Sequence, residues 1–343
     1  MVICSGGTGG HMFPACALAK AMDGRHDVLL ITDARGAVFC EDVQRKVVVE
    51  TVRLSANVAA LGRIIKGFFS FMRRWLRNPP DVVVGFGGLC TVIPVLVAAI
   101  LGAKVVIYEQ NAVVGKANRL LSPLSRLKLS FFDIGNGWQR LSPPVRNDFL
   151  KLLDVPYQYT PNGILRILVM GGSQGARSFA RIIPEALELL DESQRQRVEI
   201  IQQAAVAEQE QLRQLYEAIG VKFTVRHFLY NVAEIMAQSQ LVICRAGAST
   251  LAELTTLGRP AVLVPYPAAT NNHQFFNAMN YMKKNAAWLV EEKDDAVEKI
   301  SVILKKVLEN GELLKSAASN MIDTSMSSAN DAFVEILEGV AGV

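Results

Sequence analysis

The chain has 343 residues, of which half are hydrophobic and a fifth are charged, and its formal net charge is +4. This length predicts two domains, each able to bury a core. The mild charge argues against nucleic-acid binding, in which basic residues should dominate one face. Five scattered cysteines without a Cys-x-x-Cys pair predict free, mostly buried thiols in a reducing compartment rather than a zinc site.

Short apolar runs alternate with longer amphipathic segments along the chain. The runs that predict strands are residues 2–4, 28–31, 82–84, 104–108, 167–170, 198–201, 241–244 and 261–264. Most are continuously apolar, as expected of strands that are covered on both faces. Amphipathic segments such as residues 176–190 and 208–219 predict helices between them. This alternation predicts an α/β fold with parallel sheets.

Residues 82–103 carry no charge over a length that could span a bilayer. The glycines and the proline in this stretch suit a membrane helix poorly; they are Gly85, Gly87, Gly88, Pro94 and Gly102. We therefore predict a buried strand at 82–84, a glycine loop, and a buried helix at about 92–101.

The alternation is interrupted at residues 137–163, where four prolines cluster without periodicity, and we place the interdomain linker there. A strand and a glycine turn begin again at Ile167. The sequence thus predicts two Rossmann-like domains whose parallel sheets face each other across a cleft. The predicted first domain is 1–146, joined by a C-terminal amphipathic helix at about 329–343, and the predicted second domain is 147–328.

Three glycine-rich turns follow predicted strands, at residues 6–11 (Gly-Gly-Thr-Gly-Gly-His), 85–88 (Gly-Phe-Gly-Gly) and 171–175 (Gly-Gly-Ser-Gln-Gly). A strand-to-helix turn presents bare backbone N–H groups and the positive end of a helix dipole, which favours phosphate. The first turn fits neither the dinucleotide fingerprint nor a P-loop, and each turn alone is compatible with an ordinary tight turn. Three such turns at the carboxyl ends of strands predict a ligand-binding crevice.

Six motifs occur in order along essentially the whole chain. They are residues 6–11 with Phe13-Pro14, residues 85–88, Glu109-Gln110-Asn111, residues 171–176, residues 244–253, and His273-Gln274 with Asn277-Ala278. Together they resemble the MurG family, the UDP-N-acetylglucosamine–N-acetylmuramyl-(pentapeptide) pyrophosphoryl-undecaprenol N-acetylglucosaminyltransferases. The resemblance implies the glycosyltransferase-B (GT-B) fold. It also implies inverting transfer of N-acetylglucosamine from UDP-N-acetylglucosamine to the 4-hydroxyl of the muramyl sugar of undecaprenyl-pyrophosphoryl-MurNAc-pentapeptide, in peptidoglycan synthesis. A peripheral enzyme at the cytoplasmic face of the bacterial inner membrane is implied as well, without a cofactor.

The resemblance also assigns roles to individual residues, with His11 as the candidate catalytic base. The donor-binding candidates are Arg146, Ser173, Gln174, Ser249, Thr250, Glu253, His273 and Gln274, and the acceptor-binding candidates are Thr8, Gly9, Gly10, Gly87, Gly88, Glu109 and Asn111. Because no Asp-x-Asp occurs, no metal site is expected. Helix ends and Arg146 would stabilise the departing UDP instead.

The residues themselves leave alternatives open. The helix start at His11 disfavours imidazolium, which predicts a neutral base for a sugar hydroxyl, and a solvated first-turn residue is the alternative. Glu253 is expected to accept the ribose hydroxyls, or alternatively to close a capping box with Thr250. His273 and Gln274 are expected to bind the donor sugar, or alternatively to form a polar helix start.

Three positions depart from the family pattern on the acceptor side. Tyr108 precedes Glu109 where the family usually has histidine, and Leu89 replaces a common tyrosine. Ser142-Pro143 begins a segment that usually reads Gly-Asn-Pro-Val-Arg.

Residues 53–78 contain six basic residues and no acidic one, interleaved with aromatic and aliphatic side chains. This pattern predicts binding to an anionic membrane surface, and a core helix with a solvated basic face is the alternative. Competing functions are a UDP-N-acetylglucosamine epimerase or hydrolase of the same fold, a glycosyltransferase to another lipid, and a non-catalytic nucleotide-sugar-binding protein. The basic–aromatic stretch argues against the epimerase, and His11 argues against the non-catalytic protein.

Overall fold

The computed structural model describes residues 1–7, 9–43, 45–49, 58–171 and 177–342. The chain divides into two compact units, which we call unit 1 (Met1–Asn147 with Ser325–Val343) and unit 2 (Asp148–Thr324). Each unit contains one sheet in which all neighbouring strands are parallel. The prediction of an α/β fold with two parallel sheets is therefore confirmed.

The sheet of unit 1 has seven strands. They are β1 (Val2–Cys4), β2 (Leu29–Asp33), β3 (Lys46–Val49), β4 (Val82–Gly85), β5 (Lys104–Glu109), β6 (Leu127–Ser130) and β7 (Gln139–Arg140). Their order across the sheet is β3-β2-β1-β4-β5-β6-β7. The helices between and after them are α1 (Gly9–Ala21), α2 (Ala34–Ala37), α3 (Val58–Arg77), α4 (Leu89–Ile100), α5 (Lys116–Leu121) and α6 (Asn147–Leu150), the last at the boundary between the units.

The sheet of unit 2 has six strands. They are β8 (Leu165–Met170), β9 (Val198–Gln203), β10 (Lys222–Arg226), β11 (Leu241–Cys244), β12 (Ala261–Leu263) and β13 (Ala287–Leu289), in the order β10-β9-β8-β11-β12-β13. Its helices are α7 (Phe179–Glu188), α8 (Glu192–Arg195), α9 (Val206–Ala218), α10 (Val232–Gln238), α11 (Ala248–Leu257), α12 (His273–Lys283), α13 (Ala296–Glu309) and α14 (Glu312–Met321). The chain then returns to unit 1 with α15 (Ala329–Ala341).

Every apolar run that was predicted to be a strand coincides with one. Central strands such as β4 and β11 are buried at every residue, which explains their uniformly apolar sequences. The strands that the pattern did not predict are β3, β6, β7, β10 and β13. Most lie at or near a sheet edge, where β10 alternates exposed and covered residues and β7 is exposed.

Residues 82–103 form β4, a glycine loop and α4, as predicted, although α4 begins about one turn earlier than expected. Pro94 lies inside α4, and its carbonyl accepts a hydrogen bond from Trp75 Nε1 of α3 at 3.2 Å. Within the described ranges, no helix combines the length and the apolar character that crossing a membrane requires.

Helix α15 packs on the core of unit 1. Phe333 stacks on Phe86 with ring centroids 5.7 Å apart and meets Tyr108 edge-on at 5.2 Å. Asn330 bonds the backbone of Val145 twice: its Oδ1 accepts from the N–H at 2.8 Å, and its Nδ2 donates to the carbonyl at 3.0 Å. These contacts fix the C-terminal helix to unit 1.

Three cysteines are buried free thiols, as predicted: Cys4, Cys90 and Cys244. The other two, Cys16 and Cys40, lie next to each other in unit 1. Cys40 follows α2, and its Cα lies 5.8 Å from that of Cys16 on α1. Because this proximity arises from the tertiary packing of two segments, no local motif could indicate it.

Candidate active site

Three loops of unit 1 come together at one edge of its sheet. Strands β1, β4 and β5 are parallel neighbours, so their carboxyl ends lie side by side. Gly9 and Gly10 open α1 after the first strand, and Gly87 and Gly88 precede α4 after the second. The loop after β5 leads into α5. The structure thus brings the described acceptor-site candidates to a common edge.

The glycine loops after β1 and β4 are packed too closely for side chains. Gly88 has a φ of +94°, and a Cβ there would lie 2.8 Å from the carbonyl oxygen of Gly6. His11, in the first turn of α1, reaches the same place, because its Nε2 lies 3.5 Å from where a Cβ on Gly87 would be. Glycine at position 87 therefore keeps the space beside the imidazole open.

Glu109, the last residue of β5, organises the third loop. Its buried carboxylate accepts four hydrogen bonds: from the N–H of Asn111 (3.0 Å), Asn111 Nδ2 (3.1 Å), the N–H of Gly115 (2.9 Å) and Asn118 Nδ2 (2.8 Å). A carboxylate offers about four acceptor sites, so this one is fully used within the loop. The geometry therefore suits Glu109 to fixing the loop rather than to touching a substrate.

Two buried amides at the same loop, which the sequence did not indicate as site residues, have unpaired atoms within the described part of the chain. Both side-chain polar atoms of Gln110 and the Oδ1 of Asn118 lack hydrogen-bond partners there. A Cβ built on Gly87 would lie 3.5 Å from Asn118 Oδ1 and also 3.5 Å from His11 Nε2. Asn118 Oδ1 and His11 Nε2 are therefore neighbours on either side of the same position. An unpaired buried polar atom in a native fold requires an explanation, and its position beside His11 makes Asn118 Oδ1 a candidate for contact with a substrate.

The departures from the family pattern have simple structural explanations. Tyr108 is fully buried and donates its hydroxyl to the carbonyl of Leu141 at 3.0 Å, so it belongs to the core of unit 1. The Oγ atoms of Ser142 and Ser325 lie 2.7 Å apart. Leu89 is partly exposed at the start of α4.

The donor-site candidate Arg146 lies in unit 1, where its guanidinium carbon is 4.9 Å from the centre of the Phe13 ring on α1.

Unit 2 has a corresponding edge. Strands β8, β11 and β12 are parallel neighbours, and they are followed by Gly171, by α11 and by the segment that leads to α12. Among the donor-site candidates, Ser249, Thr250 and Glu253 lie on α11, and His273 and Gln274 open α12. The structure therefore brings these five candidates to one edge of the second sheet.

The N-terminus of α11 is open to an anion. The helix begins at Ala248 after Gly247, without a side-chain cap, and no acidic residue lies in its first turn. Since Thr250 is inside this turn and is not the N-cap, the alternative of a capping box between Thr250 and Glu253 is wrong. Glu253 itself is buried. Burial, followed by the charge of Glu253, raises the pKa of the Cys244 thiol to about 12.

Arg245, which the sequence did not indicate as a site residue, braces the donor-side edge. Its guanidinium pairs with Glu292 at 2.5 Å and donates to Ser178 Oγ at 3.1 Å. It also donates to the carbonyls of Val264 and Pro265, both at 3.2 Å. These bonds join the end of β11 to the segment after β12 and to the residue before α7. The sequence signal was a single arginine beside a continuously buried strand.

The start of α12 has a defined polar geometry. His273 Nδ1 lies 2.8 Å from the carbonyl oxygen of Thr270. Because a carbonyl oxygen can only accept, Nδ1 carries the proton and donates it. In the neutral imidazole, Nε2 is then left as a hydrogen-bond acceptor. Gln274 Oε1 accepts from the N–H of Tyr266 at 2.9 Å, which turns its Nε2 into the group left to donate. The preceding Asn271 and Asn272 both adopt positive φ, a conformation that asparagine tolerates.

Some site candidates fall outside the described residues: Thr8, Ser173 and Gln174. Across the five described ranges, no three His, Cys, Asp or Glu side chains come together in a group that could hold a metal.

Helix α3 presents an apolar and basic surface. Leu61, Ile65, Phe69 and Leu76 are 47–66% exposed, whereas Trp75 is buried. Basic residues of the same helix are exposed as well: Arg63, Lys66, Arg73, Arg74 and Arg77. A core helix with only a basic solvated face does not account for four exposed large apolar side chains. Arg53 of this stretch lies outside the described residues.

Comparison with known proteins identifies both halves of the chain. Residues 1–126 match the family model of the glycosyltransferase family 28 N-terminal domain, and residues 166–333 match that of the C-terminal domain. A UDP-N-acetylglucosamine–N-acetylmuramyl-(pentapeptide) pyrophosphoryl-undecaprenol N-acetylglucosamine transferase of Rhodospirillum centenum is 39% identical, over 100% of this chain and 95% of the relative. The enzyme of the same name from Paramagnetospirillum magneticum is 37% identical, over 99% of this chain and 96% of the relative.

Solved structures agree with this result. The crystal structure of MurG from Acinetobacter baumannii matches with a TM-score of 0.82 and 27% identity, over 98% of this chain and 99% of that chain. A UDP-GlcNAc 2-epimerase from Neisseria meningitidis, bound to UDP-GlcNAc, has a TM-score of 0.67 at 12% identity, over 98% and 99% of the two chains, a likeness of fold alone. These neighbours confirm the GT-B fold. Because its relatives reach this identity over their full length, the chain belongs to the MurG family of glycosyltransferases.

Proposed function

We propose that this enzyme transfers N-acetylglucosamine from UDP-N-acetylglucosamine to the 4-hydroxyl of the muramyl sugar of undecaprenyl-pyrophosphoryl-MurNAc-pentapeptide. The names of its full-length relatives support this donor and this acceptor. Unit 1 is the acceptor-binding unit and unit 2 is the donor-binding unit. The product is the lipid-linked disaccharide that is used in peptidoglycan synthesis.

The donor binds at the edge of unit 2. The uncapped N-terminus of α11, with Ser249 and Thr250 in its first turn, supplies backbone N–H groups and a positive dipole end for the diphosphate. Glu253, buried on the following turn, accepts the hydroxyls of the ribose. His273 and Gln274, at the start of α12, bind the hydroxyls of the sugar.

The acceptor binds at the edge of unit 1, where the observation that carries the proposal is the placement of His11. Its Nε2 lies beside the open space at Gly87, close to the unpaired Oδ1 of Asn118. Asn118 and Gln110 are therefore acceptor-binding residues in addition to those that the family resemblance implies. Glu109 acts indirectly, by fixing the loop that carries both amides.

The reaction is a single displacement. Neutral His11 takes the proton from the muramyl 4-hydroxyl as that oxygen attacks C1 of N-acetylglucosamine. The bond from C1 to the β-phosphate oxygen breaks, and UDP leaves with the electron pair. Attack on the face opposite UDP inverts the anomeric centre. The positive end of α11 stabilises the charge that develops on the leaving diphosphate without a metal.

The enzyme acts as a peripheral protein at the cytoplasmic face of the inner membrane. The exposed apolar side chains of α3 enter the lipid interface, and the exposed basic residues of this helix face anionic headgroups. This surface also favours transfer to a lipid-linked acceptor over epimerisation, because an epimerase of the same fold needs no membrane.

A transfer assay with labelled UDP-N-acetylglucosamine tests the proposal. The acceptors are the undecaprenyl-linked muramyl-pentapeptide, diacylglycerol and water. The proposal predicts label in the lipid-linked disaccharide alone. Release of free or epimerised sugar, or transfer to diacylglycerol without the muramyl acceptor, would contradict it.

A further inference from the structure

Three buried polar side chains support the segment that carries His11. Ser5, just after β1, donates its hydroxyl to the backbone carbonyl of His11 at 2.9 Å. Thr32, near the end of β2, directs its hydroxyl at Met12 Sδ at 3.2 Å. Asp33, the last residue of β2, bonds the glycine loop itself. All three are at most 1% exposed, and Asp33 is the only charged one among them.

The two oxygens of Asp33 have different partners. Oδ1 accepts hydrogen bonds from the N–H of Gly7 at 3.2 Å and from the N–H of Gly36 at 2.8 Å. Oδ2 accepts from Arg35 Nη2 at 3.1 Å, and the Arg35 side chain is 70% exposed. Burial alone would raise the pKa of Asp33, but the bonds from Gly36, Gly7 and Arg35 outweigh it and hold the pKa below its usual value. The carboxylate is therefore ionised at neutral pH.

Gly7 is the point at which the loop can be adjusted. Its φ is +95°, a backbone conformation that is available to glycine at little cost, so the residue can also leave it easily. Helix α1 begins only two residues later, and His11 lies in its first turn. A change at Gly7 therefore alters the position from which the imidazole reaches the space at Gly87.

We propose that Asp33 is a positioning residue for His11, and that its Oδ1 holds Gly7 in the conformation that aims the imidazole at the acceptor hydroxyl. The inference rests on the proposed role of His11 as the base. Because both oxygens of Asp33 already accept hydrogen bonds from the chain itself, we assign it no substrate contact. A displacement of about 1 Å at a catalytic group can cost roughly 100-fold in rate, so losing a single backbone hydrogen bond that positions His11 is enough to lower the rate measurably.

The two oxygens of Asp33 can be tested separately. Asp33→Ala removes both, and we expect kcat to fall roughly 10- to 100-fold while the affinity for UDP stays within about twofold, because UDP binds to unit 2. Asp33→Asn keeps an oxygen for Gly7 and Gly36 and should retain kcat within about fivefold. Arg35→Gln removes only the exposed partner of Oδ2 and should have little effect. Asp42→Ala, which breaks an exposed ion pair to Lys20 on α1, is the matched control.

A double-mutant cycle with His11→Ala separates positioning from general damage to the fold. If Asp33 acts through His11, Asp33→Ala should lower the rate of the His11→Ala enzyme by less than about twofold. An equal loss in both backgrounds, or a loss in Arg35→Gln that matches Asp33→Ala, would overturn the proposal. Full activity of His11→Ala alone would refute the base assignment, and Asp33 could not then act through it. A large loss in His11→Ala with an additive effect of Asp33→Ala would overturn only the role of Asp33.

Discussion

Replacing Glu109 with alanine should destabilise unit 1 and, at the same time, disorder the acceptor-side loop that follows β5. The change deprives four donors of their common acceptor. Hydrogen bonds to a charged group contribute about 1.5–3 kcal/mol each when buried. Asn118 is fully buried, whereas Asn111 and Gly115 are partly exposed and can recover bonds to water. We therefore expect a loss of about 3 kcal/mol rather than the full sum.

The assay is thermal unfolding of the whole chain, paired with transfer kinetics. A loss of about 3 kcal/mol in a unit of this size should lower its Tm by roughly 6–12 °C. Glu109→Gln retains one acceptor oxygen and should fall between wild type and alanine. Asp133→Ala, in which an exposed carboxylate loses a 3.2 Å bond from the N–H of Gly135, is the control and should shift Tm little. A wild-type Tm combined with a loss of kcat above roughly 1,000-fold would refute this reasoning and make Glu109 a chemical group.

Three further results are expected. Glu253→Ala should weaken UDP-N-acetylglucosamine binding at least about tenfold, as measured by calorimetric titration. A buried carboxylate bonded to two hydroxyls should contribute at least about 1.4 kcal/mol to binding, which corresponds to this factor. Unchanged affinity in a folded variant would exclude the ribose role. In the proposed mechanism the positive end of α11, rather than a metal, stabilises the leaving group, so activity in detergent should survive EDTA; complete loss that Mg²⁺ or Mn²⁺ restores would contradict this. Replacing Arg73, Arg74 and Arg77 with glutamine should weaken binding to anionic liposomes by about 1 kcal/mol per residue at low salt; binding that neither the substitutions nor high salt changes would refute the electrostatic contribution.

The sequence predicted the centre of each sheet better than its edges. Strands β4 and β11 are covered on both faces and are therefore continuously apolar, a pattern that can be recognised locally. Strands β10 and β13 lie at the edges of their sheet, and β10 contains exposed Lys and Arg, so their pairing depends on a neighbour rather than on their own pattern.

The candidate site shows the same division. The glycine turns and the motifs indicated His11, Glu253 and α12, because strand ends and helix starts are local features. Asp33 and Arg245 were not indicated, because each acts through contacts with segments that are distant along the chain. Asn118 was not indicated because its Oδ1 lies beside Gly87, which belongs to another loop of the fold. Glu109 was indicated, but its role changed once its four donors were known. Such roles depend on which loops become neighbours in the fold.

The kinetics of His11→Ala test the central claim most directly. If His11 is the base, kcat should fall roughly 10²- to 10⁴-fold, the affinity for UDP-N-acetylglucosamine should be unchanged, and the acid limb of the kcat/KM profile should disappear. His26→Gln is the control, since His26 bonds Glu338 on α15 at 2.7 Å and takes no part in the reaction. A modest loss with a raised acceptor KM, or an acid limb that persists unchanged in His11→Ala, would contradict the account.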